Sequence, residues 1–320
     1  MTNPIFIGVD IGGTSLRAAR FDGHTHIPVG KAKSPTYAAK GHEAVIQRLE
    51  KIIREVAPPD LAGVAGVGVI APGPLDPFVG AVLSAPNLPG WENLPLAAEL
   101  RRRTGLATVI ENDANAAALA EWRWGAGRGF EDLVYLTMST GVGGGLVLGG
   151  RLYAGRRGNA GEVGHLPVEW DGEPCACGMR GCLEAYVGGA AWTRRLRRIA
   201  PARGRVAELA GGRERATPRH VVAAAREGDD FARGEMERWN HYLARGLVAL
   251  VFALAPQAVV LGTIATAAGE ELCFSPLREL VVSRVWPLLG RELAILPSGL
   301  GDALPDRAGV AVAFQELAAG

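Results

Sequence analysis

Two similar α/β lobes are what this sequence predicts, and three observations carry that expectation. Apolar strand-like runs alternate with helix-period segments along the chain. The supersecondary pattern strand, glycine-rich turn, strand occurs twice, at "IFIGVDIGGTSLRAARFD" and again at "DLVYLTMSTGVGGGLVLGG". With 320 residues there is enough chain for each lobe to bury its own core. Such a weak internal repeat fits two related lobes with a cleft between them, expected at 1–114 plus 305–320 for the smaller and 115–304 for the larger.

The elements follow in order. Residues 5–12 and 16–22 form two strands joined hairpin-fashion by the turn "GTS", Gly13 to Ser15. Val45, Leu49, Ile52, Ile53 and Val56 recur at helical spacing and define an apolar stripe over 43–56. "VAGVGVIAPG" is a strand that Pro72 stops, and "LPLAAELRRRTG" a helix that Gly105 stops, followed by the strand "ATVIEND". Residues 115–125 are helical, and "STGVGGGLVLGG" reads as a second glycine-rich turn between strands. Helices then dominate to Ala255, followed by the strand "AVVLGT", a helix, the strand "LAILPS" and a helix over 306–317.

Composition excludes several classes. Apolar residues make up 48% and charged residues 21%, with a formal net charge of +1. That composition fits a globular chain and leaves no electrostatic footprint for nucleic acid. The short clusters Arg101–Arg103 and Arg194–Arg198 read as solvated helix faces. No basic segment precedes an apolar core at the N-terminus, and the longest apolar runs are too short to span a bilayer. A cytoplasmic location and no membrane partner are the expectation.

In that compartment thiols stay reduced, which bears on an unusual loop. Three of the four cysteines fall within "EPCACGMRGCLE", downstream of a histidine, in the spacing His165-x9-Cys175-x-Cys177-x4-Cys182. A Cys-x-Cys disulfide would be strained, whereas three thiolates and one imidazole make a closed set for structural zinc. Cys273 lies far along the chain and is expected as a buried helix residue.

The two glycine-rich turns share a chemistry. Glycines expose backbone N–H groups and a threonine adds a hydroxyl donor, a nest that suits phosphate oxygens. Asp10, at the end of the first strand, is placed to hold Mg²⁺. A plain hairpin remains an alternative for either turn alone. Likewise "IENDAN" sets Asn112 and Asp113 at a strand-to-helix junction. There the Asn-Asp pair either simply caps the helix, or its aspartate accepts a hydroxyl proton during phosphoryl transfer.

The order of these motifs, with "PGPLD", "PNLPGW" and "ENDANAAALAEW", resembles the ROK family of bacterial sugar kinases over nearly the whole chain. The branch it most resembles is the ATP-dependent glucokinases. The resemblance implies an actin-like, ribonuclease-H-like fold with a zinc-binding loop, and transfer of the γ-phosphoryl of MgATP to the 6-hydroxyl of glucose. It implies Asp113 as catalytic base, and Asn87, Asn112, Glu162, His165 and Glu184 as sugar contacts beside Asp113. Asp10, Gly12, Gly13, Thr14, Thr140, Gly141, Gly143 and Gly262 would serve the nucleotide and its magnesium. The zinc signature matches ligand for ligand, with "GEVGH" before it and Glu184 after it. Homodimers or homotetramers are usual in the family.

Three positions depart from the family pattern: Ser15 stands where lysine is common, Ser139 opens the second turn where glycine is common, and Gly262-Thr263 replaces a glycine pair. Alternatives are a ROK kinase for N-acetylmannosamine, N-acetylglucosamine or fructose, a polyphosphate-using glucokinase, and a non-catalytic sugar-binding protein. Family repressors carry a helix-turn-helix ahead of the core, for which nine residues before Asp10 leave no room.

Overall fold

A computed structural model describes residues 3–23, 25, 27–85 and 88–317. The chain divides into two compact units, 1–128 with 151–160 and 300–320, and 129–150 with 161–299.

The first unit opens with β1 (Ile5–Ile11) and β2 (Ser15–Asp22), paired antiparallel from Ile5 opposite Asp22 to Ile11 opposite Leu16. Next come β3 (Gly30–Pro35), α1 (His42–Val56) and β4 (Val64–Ile70). A small ribbon, β5 (Leu75–Asp76) with β6 (Ala81–Val82), precedes α2 (Leu96–Thr104), β7 (Thr108–Glu111) and α3 (Asp113–Trp124). The sheet order is β3-β2-β1-β4-β7, with β4 parallel to both β1 and β7.

Side chains alternate across the strands, so β1 feeds two cores. Ile7, Val9 and Ile11 meet the α1 stripe, in which Val45, Leu49, Ile52, Ile53 and Val56 are all buried as their spacing predicts. Phe6 points the other way, against Phe21, Val310 and Phe314. Gly105 closes α2 at φ 74°, a left-handed stop.

In the second unit β8 (Leu133–Met138) and β9 (Val142–Leu148) repeat the antiparallel opening. β10 (Arg151–Leu152) falls in the first unit. Short α4 (Glu184–Val187) leads into α5 (Gly189–Ile199), α6 (Arg205–Ala210), α7 (Pro218–Arg226) and the long α8 (Asp230–Leu254). β11 (Ala258–Thr263) and β12 (Ala294–Pro297) then join the sheet in parallel, in the order β9-β8-β11-β12. Between them lie α9 (Ile264–Gly269), a five-residue π-helical turn over Glu270–Phe274 holding the buried Cys273, α10 (Ser275–Val282) and α11 (Pro287–Glu292). The buried Trp192 and Trp239 stack at 5.9 Å, and both indole N–H groups are satisfied, by Glu235 Oε2 and the Val187 carbonyl.

Finally α12 (Leu304–Leu317) returns to the first unit and packs on β1, β4 and α3. That packing moves the unit boundary away from the lobe limit expected at residue 114. α3 buries its alanine-rich surface against α12 and stays in the first unit. Gly143, Gly144 and Gly145 also differ from expectation, because they belong to β9 and leave Ser139–Gly141 as the turn.

Candidate functional site

In the first unit the predicted residues gather at the carboxyl ends of β1 and β7. Asp10 is the penultimate residue of β1, opposite Arg17 in register. Gly12, Gly13 and Thr14 follow as the hairpin turn, closed by Gly12 N–H donating to the Ser15 carbonyl at 3.0 Å. Buried Thr36, a residue sequence reasoning missed, clamps that turn: its hydroxyl donates to the Gly12 carbonyl at 2.6 Å and its N–H to the Thr14 carbonyl at 3.0 Å. Burial pushes the Asp10 carboxyl up to about 6; Arg17 pulls it down, while Asp113 and Asp306 push it further up.

The junction at β7 and α3 separates two roles that the sequence left open. Asn112 is the helix N-cap, its Oδ1 accepting the Asn115 N–H at 2.8 Å. Asp113 follows as the first helical residue, exposed, with Oδ1 accepting the N–H of adjacent Ala114 at 2.9 Å. The capping duty therefore rests on Asn112, and the Asp113 carboxylate is displayed outward at a rigid strand end.

In the second unit the zinc signature converges. The ligand atoms of His165, Cys175, Cys177 and Cys182 all lie within 4.8 Å of one another. Cys177 Sγ and Cys182 Sγ are 3.7 Å apart, and Cys175 Sγ is 3.8 Å from His165 Nδ1. Two sulfurs each about 2.3 Å from a tetrahedral zinc sit roughly 3.8 Å apart, a spacing that the Cys177–Cys182 pair matches, and three thiols with one imidazole are a donor set that fits zinc. Burial raises the Cys175 thiol and pushes Cys182 up to about 12. The loop closes tightly at Gly181, where φ is 73° and an added Cβ would lie 1.5 Å from the Glu169 carbonyl.

Glu162 is exposed and ends the backbone run into a single helical turn, its carbonyl accepting the His165 N–H at 3.0 Å. Glu184, half-buried at the start of α4, touches two predicted features at once. Its Oε2 accepts the Val142 N–H at 2.8 Å, and its Oε1 lies 3.7 Å from Cys175 Sγ. The carboxylate occupies the space beside Gly141, where a Cβ would come within 2.3 Å of Oε2. The start of α5 braces the same turn, with Gly189 and Ala190 N–H groups donating to the Ser139 and Thr140 carbonyls at 2.8 Å each.

A cavity of 680 Å³ opens beside this turn, lined by Thr140, Arg194, Arg197, Arg219, Thr263 and Ile264 among others. Arg194 and Arg197, read from sequence as part of a solvated helix face, line this cavity. Gly262 precedes Thr263, the last residue of β11, whose φ of 52° and ψ of −107° is strained backbone for a β-branched residue. A larger groove of 1060 Å³ lies between α8 and α10 and includes none of the residues singled out above. Asn87 lies outside the described residues. No helix among the described residues is long and apolar enough to cross a membrane.

Known proteins share this architecture. The ROK family model matches residues 6–314. The chain is 41% identical over 283 residues to a glucokinase of Thermotoga maritima, covering 88% of each chain. The crystal structure of a ROK hexokinase from Thermus thermophilus superposes with a TM-score of 0.83 at 34% identity, over 99% of this chain and 100% of that one. A ROK family glucokinase from Streptomyces griseus, solved in complex with glucose and AMPPNP, gives a TM-score of 0.77 at 31% identity, over 99% and 100%. This chain belongs to the ROK family, and its fold is that of the ROK sugar kinases.

Proposed function

We propose that this chain is an ATP-dependent glucokinase, transferring the γ-phosphoryl group of ATP to the 6-hydroxyl of glucose. The observation that carries the reading is Glu184, which joins the zinc loop to the glycine turn through one carboxylate. A sugar-recognition element and a phosphate-binding element are thereby built as a single rigid piece.

Each unit contributes a different part of the chemistry. In the second, the zinc cage would hold His165 by Nδ1, which fixes the ring and leaves Nε2 for a sugar hydroxyl. Glu162 and Glu184 offer carboxylate acceptors to further hydroxyls; pairing each is what separates one hexose from another. Thr140, Gly141 and the arginine-lined cavity suit the polyphosphate and base of a nucleotide; Gly143 and Gly262 support the turn and the cavity wall. In the first unit, Gly12, Gly13 and Thr14 form a second nest of donors, and Asn112 adds a contact to the sugar.

Asp113 is the base. Its carboxylate accepts the proton of the 6-hydroxyl as that oxygen bonds to the γ-phosphorus and the bond to the β,γ-bridging oxygen breaks, giving glucose 6-phosphate and ADP. Asp10 suits a magnesium-linked role: a half-buried carboxyl near two others gains by a divalent cation, which would neutralise charge on the phosphates.

The test is a comparison of kcat/KM for glucose, mannose, fructose and the N-acetyl hexosamines with MgATP and with polyphosphate. Glucose with ATP should lead. Preference for an N-acetyl hexosamine or for polyphosphate would replace this reading, and no turnover with any hexose would refute the kinase assignment.

A further inference from the structure

We infer that Glu111 is a positioning residue for the transfer reaction, holding the junction that presents Asp113. The inference rests on the glucokinase reading. Glu111 is the last residue of β7 and is only 4% exposed. A carboxylate buried to that degree needs a reason, because burial alone raises its pKa and Glu316 adds to the rise.

The reason is a three-cornered web around Asp113. Glu111 Oε1 accepts the Asn112 N–H at 2.9 Å and the Asn115 side-chain Nδ2 at 3.1 Å. Asn115, fully buried, returns its own N–H to Asn112 Oδ1 at 2.8 Å. The Asn115 Oδ1 atom has no hydrogen-bond partner among the described residues, so the Glu111 carboxylate is what orients that amide. Residues 112 and 115 are thus both locked to residue 111, and Asp113 sits between the locked positions with its side chain bonded, among the described residues, only to the N–H that follows it.

The strand end is itself fixed, since the Glu111 carbonyl accepts the Ala71 N–H at 3.0 Å and Ile70 pairs with Glu111 across β4. An ionised acceptor makes short, strong bonds to N–H donors and stiffens a turn more than a neutral one. A base displaced by about 1 Å can lose on the order of 100-fold in rate while ground-state binding persists. Glu111 therefore acts on kcat through the placement of Asp113, without touching substrate.

The experiment compares Glu111→Ala, Glu111→Gln and Asn115→Ala by steady-state kinetics with glucose and MgATP, together with thermal melts. Glu111→Ala should lose roughly 10- to 100-fold in kcat with both KM values within about threefold of the unmodified protein. Glu111→Gln keeps an acceptor oxygen and should restore kcat to within about fivefold. Asn115→Ala removes one corner and should fall between them, which keeps the comparison informative if Glu111→Ala fails to fold. Unchanged kcat in Glu111→Ala and Asn115→Ala, or equal losses in the Ala and Gln variants of Glu111, would overturn the inference. If the unmodified protein phosphorylates no hexose, the glucokinase reading is what has failed.

Discussion

Glu184 Oε2 accepts the backbone N–H of Val142 at 2.8 Å, in the space that Gly141 leaves open by having no side chain. A carboxylate beside the cysteine cluster thereby also holds the Ser139–Gly141 turn, and each of the two elements fixes the position of the other.

Gly141→Ala should consequently impair catalysis without impairing the fold. The added methyl would meet Glu184 Oε2 at 2.3 Å and displace a side-chain tip from its hydrogen bond, while the surrounding core is untouched. Steady-state kinetics should show a loss of about 10-fold or more in kcat/KM, which is roughly the value of one good hydrogen bond to a charged group. Zinc content should stay at the unmodified level, and activity equal to the unmodified protein would show that the Glu184 contact is dispensable.

Asp113→Asn keeps the shape and the contact to Ala114 but cannot accept a proton. The loss in kcat should be about 10²- to 10⁴-fold, with glucose affinity by calorimetry nearly unchanged. Retained turnover would remove Asp113 from the mechanism.

Cys177→Ser tests the metal cage. Cys177 is exposed, so the substitution costs little packing. Metal analysis should find about one zinc per chain in the unmodified protein and much less in the variant. The KM for glucose should rise by about 10-fold or more, because His165 loses its fixed orientation. A metal-free unmodified protein with the same KM would refute the site.

Asp10 predicts a pH dependence of stability in the nucleotide-free, magnesium-free protein. Its folded pKa is about 6 against an ordinary 3.8, so the folded state binds this proton more tightly than the unfolded state. Stability from this group is therefore fully present below about pH 4 and is lost as pH rises through 6, by about 3 kcal/mol in total. Asp10→Asn should relieve that cost, raising the urea midpoint at pH 7.5 more than at pH 4.5 while weakening MgATP use. Equal effects at the two pH values would contradict the burial argument.

Much of this was legible in the chain. The α1 stripe, the left-handed stop at Gly105 and the spacing of the cage ligands depend on local periodicity or local chemistry, which sequence records directly. Gly143–Gly145 misled because a run of glycines signals a turn, whereas in β9 the same residues continue a ladder opposite β8. The junction at Asn112 and Asp113 offered two residues capable of capping, and only the hydrogen bond from Asn115 assigns the duty. Thr36 and the contact from Glu184 to Val142 join residues 24 and 42 positions apart, and no spacing rule connects such partners.

The packing of α12 carries a consequence for how the chain is made. Gly8 and Gly68 let this helix lie almost on the backbone of β1 and β4; a Cβ on Gly68 would stand 2.1 Å from the Gly309 carbonyl. Phe6 and Phe21, synthesised among the earliest residues, share their cluster with Val310, Ala313 and Phe314 of the last helix. On a translating ribosome the first unit must wait, one face of its sheet bare, until the far end of the message has been read. A transcript truncated before residue 304 would therefore yield a chain with an exposed aromatic face, a substrate for chaperones and proteases rather than a shortened enzyme.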